Sequence, residues 1–177
     1  MDISAEPAVV SGGEQLWFLG TLASIKLEGA QTGGRLGLWE GVLPHGAAPP
    51  LHSHPQDETF YVIEGEVTAW LVEQDLADDP AEPPAWVDTR ARRCGPGSVM
   101  YAPSGTPHTF RVESDTARMV FISTPAGIEN FVRGLGEPAQ WPWLQAPSAG
   151  PRLPVEQIAE VERATGVVRH GPPPPAS

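Results

Sequence analysis

Residues Gly46 to Gly65 read GAAPPLHSHPQDETFYVIEG, and they carry three metal-ligand side chains in one short run: His52, His54 and Glu58. In an extended segment successive side chains alternate faces, so His52 and His54, two apart, point to the same side. Pro55 allows a turn or bulge, after which Glu58 can return its carboxylate to that face at the start of the next strand. A fourth donor, His108, follows some fifty residues later, so three of only five histidines fall in two compact clusters. Three neutral imidazoles and one carboxylate suit one divalent Fe, Mn, Co, Ni or Zn ion. Such a set leaves coordination positions open for substrate, water or dioxygen, which points to catalysis rather than to a structural metal. His45 and His170 read as solvated loop residues outside the site.

Outward from this run, Gly 19 and Pro 21 punctuate the chain throughout and argue against a helical bundle. Strand-like windows cover Gln15 to Leu19, Ala23 to Leu27, Arg35 to Leu43, Thr59 to Ile63, Val67 to Val72, Ser98 to Ala102, His108 to Val112 and Arg118 to Ser123. No helix-length segment separates them to make parallel crossovers. An all-β barrel of the jelly-roll type is therefore expected. Gly65, in Glu64-Gly65-Glu66, marks a hairpin turn between two of these strands. The acidic, Pro-containing run from Gln74 to Pro84 reads as a solvated loop. After Ser123 the pattern changes: Ile128, Phe131, Val132 and Leu135 recur at helical spacing behind Thr124 and Pro125. A second short helix is expected from Pro154 to Thr165, with Val155, Ile158 and Ala159 on its buried face. The Pro172 to Pro175 tail should be extended or disordered. One domain results, with N-terminal strands and arm in 1–34, the barrel core with its ligands in 35–124, and a helical extension with a Pro-rich tail in 125–177.

With 22 acidic against 11 basic side chains, the surface repels phosphate backbones and anionic lipids. Nucleic-acid and membrane partners are not expected, and with no targeting segment or apolar span the protein reads as cytoplasmic. Cys94 is the only cysteine, so a metal must use His and carboxylate ligands. Its place before Gly95, Pro96 and Gly97 reads as a turn position rather than a catalytic thiol.

Two motifs carry a resemblance to the cupin superfamily. The first, G(x5)HxH(x3 or x4)E(x6)G, is matched by Gly46, His52, His54, Glu58 and Gly65. The second, G(x5)PxG(x2)H(x3)N, is matched by Gly97, Pro103, Gly105 and His108, with Val112 where the family often has Asn. The resemblance implies an RmlC-like jelly-roll barrel and a homodimer. Beyond the motifs the chain is similar to single-cupin bacterial proteins described as quercetin 2,3-dioxygenase-like. That similarity runs through Trp17-Phe18-Leu19-Gly20, Thr32-Gly33-Gly34-Arg35, Asp57 to Glu66, Thr124-Pro125-Ala126-Gly127 and Leu135-Gly136-Glu137-Pro138.

Strand alternation puts Phe60 and Val62 on the side of Glu58, and Phe110 and Val112 on the side of His108, while Arg111 has the opposite parity. These four make an apolar wall suited to a flat organic substrate, or else simply fill the barrel. Trp39 or Trp70 could also face the cavity. What the resemblance implies is a dioxygenase acting on a flavonol-like or other enolisable aromatic substrate, with Glu58 taking the substrate's proton and dioxygen attacking the activated carbon skeleton. The same residues would serve a redox-neutral isomerase, cyclase or decarboxylase, or a small-molecule-binding module without turnover.

Overall fold

The computed structural model describes residues 5, 7–72, 91–141 and 153–175. Its strands are β1 (Glu14–Phe18), β2 (Thr21–Leu27), β3 (Gly37–Pro44), β4 (Leu51–Ser53), β5 (Asp57–Glu64), β6 (Val67–Leu71), β7 (Ala91–Cys94), β8 (Val99–Ala102), β9 (His108–Val112), β10 (Thr116–Thr124), β11 (Glu137–Pro138) and β12 (Val168–Gly171). Three helices, α1 (Gly29–Thr32), α2 (Ile128–Leu135) and α3 (Val155–Thr165), complete the described elements. One sheet runs β11-β1-β2-β3-β10-β5-β8 and the other β12-β4-β9-β6-β7, every pairing being antiparallel. The all-β jelly-roll barrel is thus present, and strands from all three sequence segments share its two sheets.

Alternation builds the core. On β3 the residues Gly37, Trp39, Gly41 and Leu43 are buried while their neighbours are half-buried, and on β10 the inward set is Ala117, Met119, Phe121 and Ser123. They meet Phe60, Val62, Val67, Ala69, Phe110 and Val112 in one apolar cluster. Each large apolar side chain so buried contributes roughly 1.5–3 kcal/mol before the entropy of ordering it. Trp39 stacks on Phe121 with ring centroids 3.8 Å apart, whereas Trp70 points outward under the Arg111 guanidinium. The β5–β6 hairpin requires Gly65: its φ is +84°, and an added Cβ would lie 2.4 Å from the Thr116 carbonyl oxygen.

Several elements differ from the sequence reading. The short strands β4, β7, β11 and β12, of two to four residues each, fall outside the expected windows. Cys94 ends β7, buried at its pairing with Val67, instead of sitting in the turn; burial pushes its thiol up. Helix α2 starts at Ile128, since Thr124 still belongs to β10. In α3 the half-buried side is Ile158, Val161, Glu162 and Thr165, while Val155 and Ala159 are exposed. The helix is turned this way by its contact with α2, where the missing side chain of Gly134 admits Val161. The tail from Pro172 to Pro175 has no regular secondary structure and only Pro174 is buried, but it is tied down where the Pro172 oxygen accepts from Leu51 N–H and the Pro175 oxygen from Arg111. The acidic run from Gln74 to Pro84 lies outside the described residues. No described helix is long and apolar enough to cross a membrane.

Candidate metal centre

β4, β5 and β9 bring His52, His54, Glu58 and His108 together, with one donor atom from each lying within 4.8 Å of the others. The register explains the convergence. His52 pairs directly with His108 across β4 and β9, so the two rings share one face, with centroids 4.5 Å apart. His54 follows β4, and Glu58 enters from the opposite sheet on β5. The Nε2 of His54 is 2.9 Å and that of His108 3.2 Å from Glu58 Oε2.

The backbone assigns the tautomers. His52 Nδ1 donates to the Pro50 carbonyl and His108 Nδ1 to the Thr106 carbonyl, each at 2.8 Å. A carbonyl only accepts, so in the neutral rings Nε2 is left as a bare lone pair. Burial, reinforced by repulsion from His108, lowers the His52 pKa to about 3, which keeps that ring neutral. Burial alone would push the Glu58 carboxyl up, but hydrogen bonds from His108 and His54 outweigh it and hold the group at about 2. With Nδ1 donating to Thr106, His108 Nε2 donates to Glu58 only when the ring carries a second proton; without that proton the two groups meet lone pair to lone pair. A cation among these donors removes that conflict, so the donor set fits a divalent transition metal.

Three of the four donors, His52, His54 and Glu58, line an open cavity of about 150 Å³. Phe60 and Phe110 line it, together with Trp39, Phe121, and Ile128, Phe131 and Val132 of α2. Val62 and Val112 do not reach it: both are fully buried in the core, one strand repeat beyond Phe60 and Phe110. Alternation assigns a face but not a depth, which is why the sequence reading placed all four on the wall. His45 is exposed beyond β3. His170 is not a loop residue but belongs to β12, within 2.8 Å of Ser53 Oγ, and burial lowers its pKa.

The sequence reading missed the contribution of the C-terminal segment. Ile158 and Glu162 of α3 and Arg169 of β12 line the same cavity as the cluster. Arg169 pairs with His52, and only this pairing, not any local pattern, identifies it.

Comparison with known proteins agrees with this architecture. Residues 39–77 match the Cupin domain model. A stretch of 81 residues is 31% identical to quercetin 2,3-dioxygenase of Bacillus subtilis, covering 46% of this chain and 19% of that protein. Another, of 69 residues, is 35% identical to dimethylsulfoniopropionate lyase DddQ of Ruegeria pomeroyi, covering 39% of this chain and 27% of that protein. The matched stretches thus span only about a fifth to a quarter of these relatives' own length. Among solved structures, oxalate decarboxylase from Bacillus subtilis superposes with a TM-score of 0.52 at 18% identity, over 69% of this chain and 31% of that one.

Proposed function

From the premise that this chain has the cupin fold, we propose that it is a metal-dependent enzyme, and specifically a dioxygenase acting on an enolisable aromatic substrate. His52, His54, Glu58 and His108 would hold one divalent transition metal. When bound, that ion supplies Lewis acidity and a place to activate substrate and dioxygen. The observation carrying this reading is the convergence of three imidazoles, two with Nδ1 committed to backbone carbonyls, on a buried carboxylate beside an apolar cavity.

The chain's own residues have definable tasks. Pro50 and Thr106 carbonyls fix the rings of His52 and His108, which spares the site reorganisation. Glu58, its carboxylate at the cavity wall, would accept the proton of an enol or phenol brought against it. Phe60, Phe110 and the α2 side chains exclude water from that transfer and present flat apolar surfaces to a ring. The similarity to quercetin 2,3-dioxygenase supports the oxygenase form. The similarity to a lyase supports a second reading, a redox-neutral elimination or isomerisation with the same residues. A homodimer belongs to the same proposal, for which Tyr61, Val99 and Tyr101, exposed on the adjacent strands β5 and β8, offer an apolar edge.

Metal analysis of the native protein, followed by turnover on flavonols and other enolisable aromatics with and without oxygen, tests the proposal. One divalent metal per chain and oxygen-dependent product are expected. Equal turnover without oxygen would replace the oxygenase with the redox-neutral enzyme, and full activity of metal-free protein would remove both.

A further inference from the structure

Sheet pairing places Arg169, His52 and His108 in a single cross-strand row, since Arg169 pairs with His52 and His52 with His108. Residues directly opposite in antiparallel strands project from the same face. Arg169 therefore stands beside the ligand row, its Cα one strand spacing, about 5 Å, from that of His52 and two, about 10 Å, from that of His108. It is the only Arg or Lys lining the cavity among the described residues. Its Nε donates to Glu162 Oε1 from α3, also on the cavity wall, and its two Nη groups have no partner among the described residues. Glu162 thus occupies Nε and leaves the Nη1/Nη2 end, which can pair with a carboxylate through two parallel hydrogen bonds, available. A β-bulge between Arg169 and Gly171, with His170 fastened to Ser53, fixes β12 in this register.

We propose that Arg169 is a specificity-determining residue that receives a carboxylate of the substrate, so that the substrate is an aromatic or other apolar acid rather than a neutral flavonol. The inference rests on the reading of the His/Glu cluster as the metal site toward which a substrate oxygen is directed. A molecule with an oxygen at that cluster, a carboxylate at Arg169 and roughly one ring between them matches the row, and the ring meets the aromatic wall. The Arg169 side chain is 47% exposed, so solvent screens the contact and a moderate effect is expected.

The test uses cobalt(II)-loaded full-length protein and two probes of one skeleton, 4-hydroxybenzoate and its methyl ester, with affinities measured by calorimetry. The acid should bind about tenfold more tightly than the ester. Arg169→Met should bring that ratio to near one while leaving cobalt content and ester affinity in place, and Arg169→Lys should restore part of it. Glu162→Gln keeps an acceptor for Nε but removes the competing charge, so it should raise the acid preference above that of the native protein. A ratio near one in the native protein, a ratio unchanged by Arg169→Met, or no rise with Glu162→Gln would each overturn the proposal. Cobalt uptake and ester binding without acid preference sink only this inference; failure to take up cobalt sinks the metal reading and this inference together.

Discussion

Two buried glutamates occupy opposite kinds of site in this molecule. Glu58, 3% exposed, faces imidazole nitrogens at a cavity wall, whereas Glu129, 2% exposed, faces backbone. Glu129 accepts from Gly29 N–H at 3.0 Å and Gly127 N–H at 2.7 Å, joining the first turn of α2 to the start of α1. Its donors are complete and fixed by the main chain, so its charge does a structural task. Glu58 meets titratable rings whose lone pairs conflict with its own unless a proton or cation intervenes. Burial of a carboxylate therefore does not identify a reactive one; the chemistry of its partners does.

The comparison yields a ranked set of expectations. The largest concerns Glu58→Gln, which should lower turnover about 10²- to 10⁴-fold, the usual loss for a general base. Metal content should fall far less, because three imidazoles remain. Measuring both on one preparation, with and without added metal, is decisive, and full rescue by metal would make Glu58 a ligand only.

Glu129→Ala should do the reverse, costing about 1 to 3 kcal/mol of stability by leaving two half-buried N–H groups without their carboxylate partner, with metal content unchanged. Urea denaturation reads this directly. If Glu58→Ala costs as much stability in metal-free protein, the distinction between the two sites collapses.

Chelation should come next, removing about 2.7 kcal/mol if metal was present at 100 times its dissociation constant. Far-ultraviolet circular dichroism should persist, because Val62, Met119 and Val112 pack without any ligand. Loss of all secondary structure would make the cluster, not the apolar core, the foundation of the barrel.

The smallest effect is expected of Gly37→Ala. Its Cβ would lie 2.3 Å from Glu129 Oε2, so overpacking should cost about 1 to 2 kcal/mol. Combined with Glu129→Ala the cost should shrink but not vanish, since the nearest clashing atom is gone while Ser123 Oγ, 2.8 Å from the added Cβ, remains, and a double-mutant cycle measures that coupling. Strict additivity would show that Gly37 does not report on the Glu129 site.

Legibility followed the range of the interaction that specifies each feature. His52, His54 and Glu58 lie within a few residues of one another, and the period-two geometry of a strand suffices to put the histidines on one face. Glu129 escaped notice because its partners, Gly29 and Gly127, are backbone groups, and one of them is a hundred residues away. On α3 the apolar spacing suggested Val155 and Ala159 as inward, but the approach of Val161 to Gly134 decided the rotation. Val62 and Val112 had the right parity and the wrong depth.

By itself the sequence determined the strand-rich composition, the alternation that makes each strand two-faced, the glycine at the β5–β6 turn, and the candidate ligand set with its spacing. These are local, set by backbone geometry and side-chain chemistry over a few residues. Only the tertiary structure decided that His108 stands opposite His52, that the Pro50 and Thr106 carbonyls orient the rings of His52 and His108, and that β12 pairs with β4 to set Arg169 beside them. Strand pairing between distant segments is chosen by the closure of the whole barrel, and no short stretch of sequence contains that information.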